Sequence, residues 1–293
     1  MAVKINLSSL ELTAGEHWQF HRRDLVVIAL ALALAAAVRL VFFAGMSSPD
    51  ELNYLRDAAD WWTGRFDLRS AHFIHDTRPL VFVPVAWSFA LFGVSDATAL
   101  LWMFLASITT VVFVYLIAHR LFGRETAGWA VFSAAMLPLL VHEATRLLPG
   151  AVMSLVIAIS SFCYVVSEQA LRRRWVWLAV SGMLFGAIQM AGELGVVFGY
   201  FFLVALILWR RHPLLSYWPA IAGFAGVGIL TLVYYWIEAG DPLVKIGMGK
   251  ELVDLIQTVA PRQPLYFTKV ILSPLAGGGG IFYVAGIGCV AGI

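Results

Sequence analysis

Uncharged apolar runs long enough for about 18–22 helical residues recur along this chain, separated by short segments that hold most of its charges. They fall near residues 25–45, 97–118, 126–145, 150–167, 174–191, 194–209, 215–236 and 276–293. Each is read as a helix crossing a hydrocarbon layer about 30 Å thick. The run Pro79–Phe92 differs, because it is only 14 residues long and carries two prolines. That length suits an interfacial or re-entrant helix. The pattern therefore predicts an all-α polytopic membrane protein, a single transmembrane domain over residues 1–293 with about eight spans.

Composition supports the class. Of 293 residues, 61% are hydrophobic and 13% charged, against about 45–50% and about 25% in soluble domains. A water-soluble fold of this size has nowhere to hide so much apolar surface. The arginines are scattered in short loops, which excludes a nucleic-acid footprint. Cys163 and Cys289 lie inside apolar runs and read as small buried hydrophobes, with no disulfide framework or metal-ligand spacing. No nucleotide-binding loop and no dense carboxylate cluster occurs, so neither cofactor nor metal is expected. The first run lacks a small-x-small cleavage pattern and reads as a retained signal anchor in the plasma or inner membrane.

Charge placement sets the expected topology. With Pro79–Phe92 not crossing, Lys4, Arg22 and Arg23 share one side with Arg120, Arg124, Arg172, Arg173, Arg174, Arg210 and Arg211. The opposite turns carry only Arg146 near one and no basic residue near Glu193. Positive charge favours the cytoplasmic side. Residues 1–24 are thus expected inside, and two long segments, 46–96 and 237–275, outside. The last run follows the glycine tract 277–280 and stops at Ile293 without a flanking Lys or Arg. The sequence thus reads as cut inside or just after a span, the N-terminal part of something longer.

Candidate chemistry concentrates outside the first span. Ser48, Pro49 and Glu51 stand at the N-cap, N1 and N3 positions of a capping box, so a helix starts as the chain leaves the membrane. Leu52, Leu55, Ala59 and Trp62 recur at helical spacing as an apolar stripe, and Trp61 and Trp62 suit the headgroup level. Asp50 and Glu51 admit two readings. They satisfy the helix N-terminus, or they are carboxylates able to take a proton from an acceptor. Arg56 and Arg78 nearby are guanidiniums suited to a leaving phosphate, and Tyr54 stands between the acids and Arg56.

A resemblance joins these features. The order is a first span, Asp50-Glu51, Trp61-Trp62, Arg78-Pro79-Leu80, Leu91-Phe92-Gly93, His119-Arg120-Leu121-Phe122-Gly123 and Gly240-Asp241-Pro242-Leu243. It resembles the protein-mannosyltransferase and aminoarabinose-transferase branch of the GT-C membrane glycosyltransferases. The resemblance implies two juxtamembrane helices in the first outside loop. It also implies transfer of a sugar from a polyprenyl-phosphate donor to a glycan, lipid or protein acceptor at the outer face, with inversion. Carried over, Asp50 is the base, Glu51 its partner or substitute, and Arg78 meets the lipid phosphate. The chain departs from the family where Gly150 follows Pro149 in place of an acidic residue, and where Leu100-Leu101-Trp102 replaces an arginine.

Further candidates for the substrate pocket are Arg39 inside the first span, Glu143, Arg146 and Glu193 at span ends, and Lys245 and Lys250 in the second outside segment. For each, anchoring at the interface is the competing reading. The rival functions are a transporter or flippase of a lipid-linked or small polar substrate, and a non-catalytic relative that binds lipid phosphate. A transporter calls for polar residues at mid-depth, where Gln189 and Arg39 are the candidates.

Overall fold

The computed structural model describes residues 21–192 and 212–249, apart from residues 44, 47, 71–72 and 171–172. The expected spans 194–209 and 276–293, with Glu193, Lys250 and Cys289, lie outside the described residues.

The long helices are α1 (Arg22–Val41), α4 (Asp96–Phe122), α7 (Gly150–Gln169) and α9 (Trp218–Ala239). Between them lie α2 (Pro49–Trp62), α3 (Pro79–Phe92), α5 (Arg124–Met136), α6 (Pro138–Ala144) and α8 (Arg174–Ala187). Four described helices, counting the short turn Leu214–Tyr217 with α9, are long and apolar enough to cross a membrane. A fifth span results if α5 and α6, bent by 52°, count as one. No strand occurs among the described residues. Large side chains such as Leu30, Leu91, Trp129, Leu230 and Trp236 point outward. Apolar surface of that extent, on helices long enough to span, matches a lipid surround, and the chain is an integral membrane protein.

The expected span 174–191 is α-helical only to Ala187 and continues as the 3-10 turn Ile188–Met190. In the first turn of α3 the Leu80 carbonyl accepts from Trp102 Nε1 at 3.3 Å, less than two turns into α4. α3 ends at Gly93, which takes the positive φ of 79° that a side chain resists and leads straight into α4. Both ends of α3 are thus tied to the same end of α4. That end of the bundle also holds α2, the α6–α7 turn and the C-terminus of α9, where the Tyr235 hydroxyl donates to Thr77 O at 2.8 Å.

Pro138 lacks an N–H, so the helix breaks between α5 and α6 and strands backbone carbonyls. Arg39, 1% exposed, fills this defect. Its Nη1 donates to Ala135 O and Ala35 O, both at 3.0 Å, and its Nε and Nη2 donate to Ser107 Oγ at 3.0 and 2.8 Å. Ser107 Oγ in turn donates to Leu140 O at 3.0 Å. An unmade backbone bond at this depth costs several kcal/mol.

α8 and α9 meet backbone to backbone through glycine. A β-carbon at 182 would fall on the Ala220 carbonyl, and one at 223 on the Ala179 carbonyl. At Gly186 the nearest atoms, Phe224 O and Val227 Cβ, stand 3.0 Å from a β-carbon's position, whereas Gly226 and Gly228 have nothing within 4 Å. Gly182→Val is therefore expected to destabilise the bundle by about 1–3 kcal/mol through overpacking, while Gly226→Val stays near wild type. Thermal melting of the detergent-purified variants checks the contrast.

Candidate functional site

α2 packs Tyr54 and Ala58 into the apolar core, with Leu55 and Trp61 against it, and buries two acids on the same side. Glu51, Tyr54, Asp57 and Ala58 are buried, whereas Leu52 and Trp62 at the ends of the apolar stripe are exposed. At an interface with lipid this is the expected sense, since apolar side chains lose nothing by facing acyl chains.

The two adjacent carboxylates have opposite surroundings. Glu51 is 0% exposed. Its Oε2 accepts from Ser48 N at 2.7 Å and Arg146 Nη2 at 3.2 Å, and its Oε1 from Arg146 Nε at 3.3 Å and Leu147 N at 3.2 Å. The capping box read from the sequence is present, with Ser48 Oγ accepting from Glu51 N. One carboxylate thus caps its own helix and holds the α6–α7 turn. Asp50, one residue earlier, has a side chain 60% exposed, and its Oδ1 lies 3.5 Å from His75 Nε2.

His75 belongs to the 3-10 turn Ile74–Thr77 between α2 and α3. Its ring stands edge-on to Tyr54, with centroids 5.0 Å apart and planes at 86°. The Tyr54 hydroxyl accepts from Arg78 Nη1, whose guanidinium carbon lies 6.0 Å from the Tyr54 ring centroid. Asp50, Tyr54, His75 and Arg78 therefore form one contiguous group. Arg146 connects it to the α6–α7 side, where its Nη1 lies 3.4 Å from His142 Nε2.

Glu143, in the last turn of α6, reaches the start of α7. Its carboxylate accepts from the Gly150 N–H and lies 3.6 Å from His142 Nδ1. A β-carbon at 150 would coincide with this carboxyl. The space that a side chain after Pro149 would take is filled by an acid from α6, which accounts for glycine there. Arg39 is not part of this group, being committed to the α5–α6 break. Lys245 donates to Gln189 O beyond the end of α8.

Arg56 makes a second set. Its Nη2 lies 2.9 Å from both Asp57 Oδ1 and Asp76 Oδ1. Asp57, its side chain 3% exposed, keeps Oδ2 buried with no hydrogen-bond partner among the described residues. Burial, and next the charge of Asp76, push the Asp57 carboxyl up to about 7, against the pull of Arg56. Reasoning from the sequence passed over His75, Asp57 and Asp76, because no spacing marks them. The available signal was that Asp57 falls on the same helical face as Glu51, Tyr54 and Trp61.

A family model described as dolichyl-phosphate-mannose-protein mannosyltransferase matches residues 76–236. That stretch takes in Arg78, Glu143, Arg146 and most of α9 and begins after Asp50 and Glu51. No curated protein and no solved structure matches the chain.

The Asp57 shift has a definite sign. A carboxyl that binds its proton more tightly in the folded state stabilises below its unfolded value, and that contribution is lost as pH rises through about 7. The α2–turn junction is therefore expected to loosen between about pH 4 and pH 7. Asp57→Asn should flatten this dependence. Amide hydrogen exchange over residues 73–78, followed against pH in both proteins, checks it.

Proposed function

The chain belongs to the dolichyl-phosphate-mannose-protein mannosyltransferase family of membrane glycosyltransferases, and on that premise we propose that it moves a sugar from a polyprenyl-phosphate donor to an acceptor, with Asp50 as the base. The observation that carries this reading is the contrast within one carboxylate pair. Glu51 is buried and held by Arg146 and by the backbone N–H groups of Ser48 and Leu147, whereas Asp50 is open to an incoming group.

In the proposed reaction the acceptor hydroxyl or amine gives its proton to the Asp50 carboxylate as its lone pair attacks the anomeric carbon. The bond from that carbon to the phosphate oxygen breaks, and its electrons leave with the polyprenyl phosphate. A single displacement inverts the centre. Arg78, held beside Tyr54, is placed to meet the charge that develops on the phosphate. Arg146 and Glu51 set the distance between α2 and the α6–α7 turn, where Glu143 offers a carboxylate to sugar or acceptor hydroxyls. A lipid-bound leaving group calls for a site at membrane level, which agrees with α2 exposing Leu52 and Trp62. The arginine distribution puts this end of the bundle outside and the N-terminus in the cytoplasm. A transporter draws no support from the interior, because Arg39 is committed to backbone carbonyls and Ser107.

Transfer from polyprenyl-phosphate sugars by the purified chain tests the reading. Asp50→Asn is expected to melt as wild type does and to lose about 10²–10⁴-fold in rate. Glu51→Gln should instead lower stability by about 3 kcal/mol, since Arg146 is left facing a neutral partner. Wild-type turnover by Asp50→Asn would sink the base assignment, and a folded wild type inert on every such donor would sink the donor class.

A further inference from the structure

Asp50 is the least constrained member of its group. It sits in the first turn of α2 with its side chain 60% exposed, and its Oδ1 lies 3.5 Å from His75 Nε2. An exposed carboxylate has more than one rotamer open to it, and orientation is worth a large share of a transfer barrier. The neighbouring guanidiniums are engaged elsewhere: Arg78 with Tyr54, Arg146 with Glu51, and Arg56 with Asp57 and Asp76.

His75 is mounted in the opposite way. Its turn is fixed at both ends. Asp76 Oδ2 accepts from Phe73 N at 3.3 Å, and Asp76 Oδ1 is gripped by Arg56. Thr77 Oγ1 donates to Ile74 O at 2.7 Å, and Thr77 O accepts from Tyr235 on α9. The imidazole, its side chain 15% exposed, rests edge-on against the buried Tyr54 and presents Nε2 to Asp50. A donor on a hydrogen-bonded turn thus faces an exposed carboxylate.

The geometry points to His75 as a positioning residue for Asp50, an inference that rests on the base assignment above. His75 Nε2–H donates to Asp50 Oδ1 and so aims Oδ2 at the acceptor proton. His75 keeps its own proton throughout. The acceptor proton passes to Oδ2 and then to water once the glycosylated product leaves. The present 3.5 Å separation is of the kind that tightens when substrate docks.

Four proteins decide this: wild type, Asp50→Asn, His75→Phe and His75→Gln, each assayed for transfer from a polyprenyl-phosphate sugar. Phe keeps the aromatic edge on Tyr54 and removes the donor, and Gln restores a donor near the Nε2 position. The expected result is a fall in kcat on the order of tenfold for His75→Phe, smaller than the loss of the base itself. KM for donor should be unchanged, with recovery toward wild type in His75→Gln. In 15N-histidine-labelled protein the His75 Nε2 resonance should also shift on Asp50→Asn, a readout independent of turnover and of any His75 variant's folding. Asp50→Asn inactive with His75→Phe at the wild-type rate overturns the role of His75 and leaves the base in place. Equal loss in His75→Phe and His75→Gln, or an unmoved Nε2 resonance, also overturns it. An active Asp50→Asn beside an inactive His75→Phe overturns both assignments, making the imidazole the base.

Discussion

The bond between Glu51 and Arg146 is the constraint on which the rest of the site depends. A carboxylate with no exposed surface has given up its hydration, and only charge-assisted partners arranged on both oxygens compensate for that. Because the acid is also the N3 residue of its own capping box, it cannot move without unwinding the first turn of α2. The ion pair therefore fixes the start of α2, and with it Asp50, to a turn almost a hundred residues later in the chain. Everything near Asp50 is positioned relative to that point: Tyr54 one turn on, His75 against Tyr54, Arg78 on its hydroxyl, and Glu143 on the far side of Arg146.

The opposite end of the bundle uses the same solution. Asp24, N3 of α1, accepts from His21 N on Oδ2 at 2.8 Å, while its Oδ1 pairs with Arg124 at 2.6 Å and accepts from the Tyr115 hydroxyl at 2.8 Å. In each case a helix-capping acid reaches across to an arginine beside a turn between later helices. Apolar packing between helices in lipid has no hydrophobic driving force of its own. Charged clamps at the ends of helices, each pairing a fully buried acid with an arginine that stays partly exposed, give register where the dry interior gives only shape. Glycine supplies that shape along α8 and α9.

What could be read from the sequence follows from which signals are local. The runs behind α1, α4, α7 and α9 were legible to within a few residues, because span length and apolarity are properties of a window. Ser48 and Glu51 announced their own hydrogen bonds, since a capping box is complete within four residues. The role of Glu51 beyond the cap was not legible, because Arg146 is a tertiary partner. The difference between Asp50 and Glu51, which decides their chemistry, comes from α2's rotation about its own axis. The stripe of Leu52, Leu55, Ala59 and Trp62 marks one side of that helix, but not whether protein or lipid lies against it. His75 carried no signal at all: a lone histidine in a loop acquires meaning only when a carboxylate from another element arrives beside it.

Arg39 shows how a deep charge can serve a site it does not touch. Its depth invites a ligand-binding role, yet its guanidinium is spent on Ala135 O beside the Pro138 break, on Ala35 O of its own helix and on Ser107. Five N–H groups in a planar fork suit a break of this kind better than any neutral side chain, because several acceptors are met from one residue. The consequence lies one helix away. With the break satisfied, α6 leaves the axis of α5 by 52° and carries Glu143, with Arg146 just beyond it, to the end where α2 sits. Gly150 completes the arrangement by leaving room for the Glu143 carboxyl at the start of α7. A side chain there would have to displace that acid, so the glycine after Pro149 and the glutamate seven residues before it are one feature, expressed at two positions.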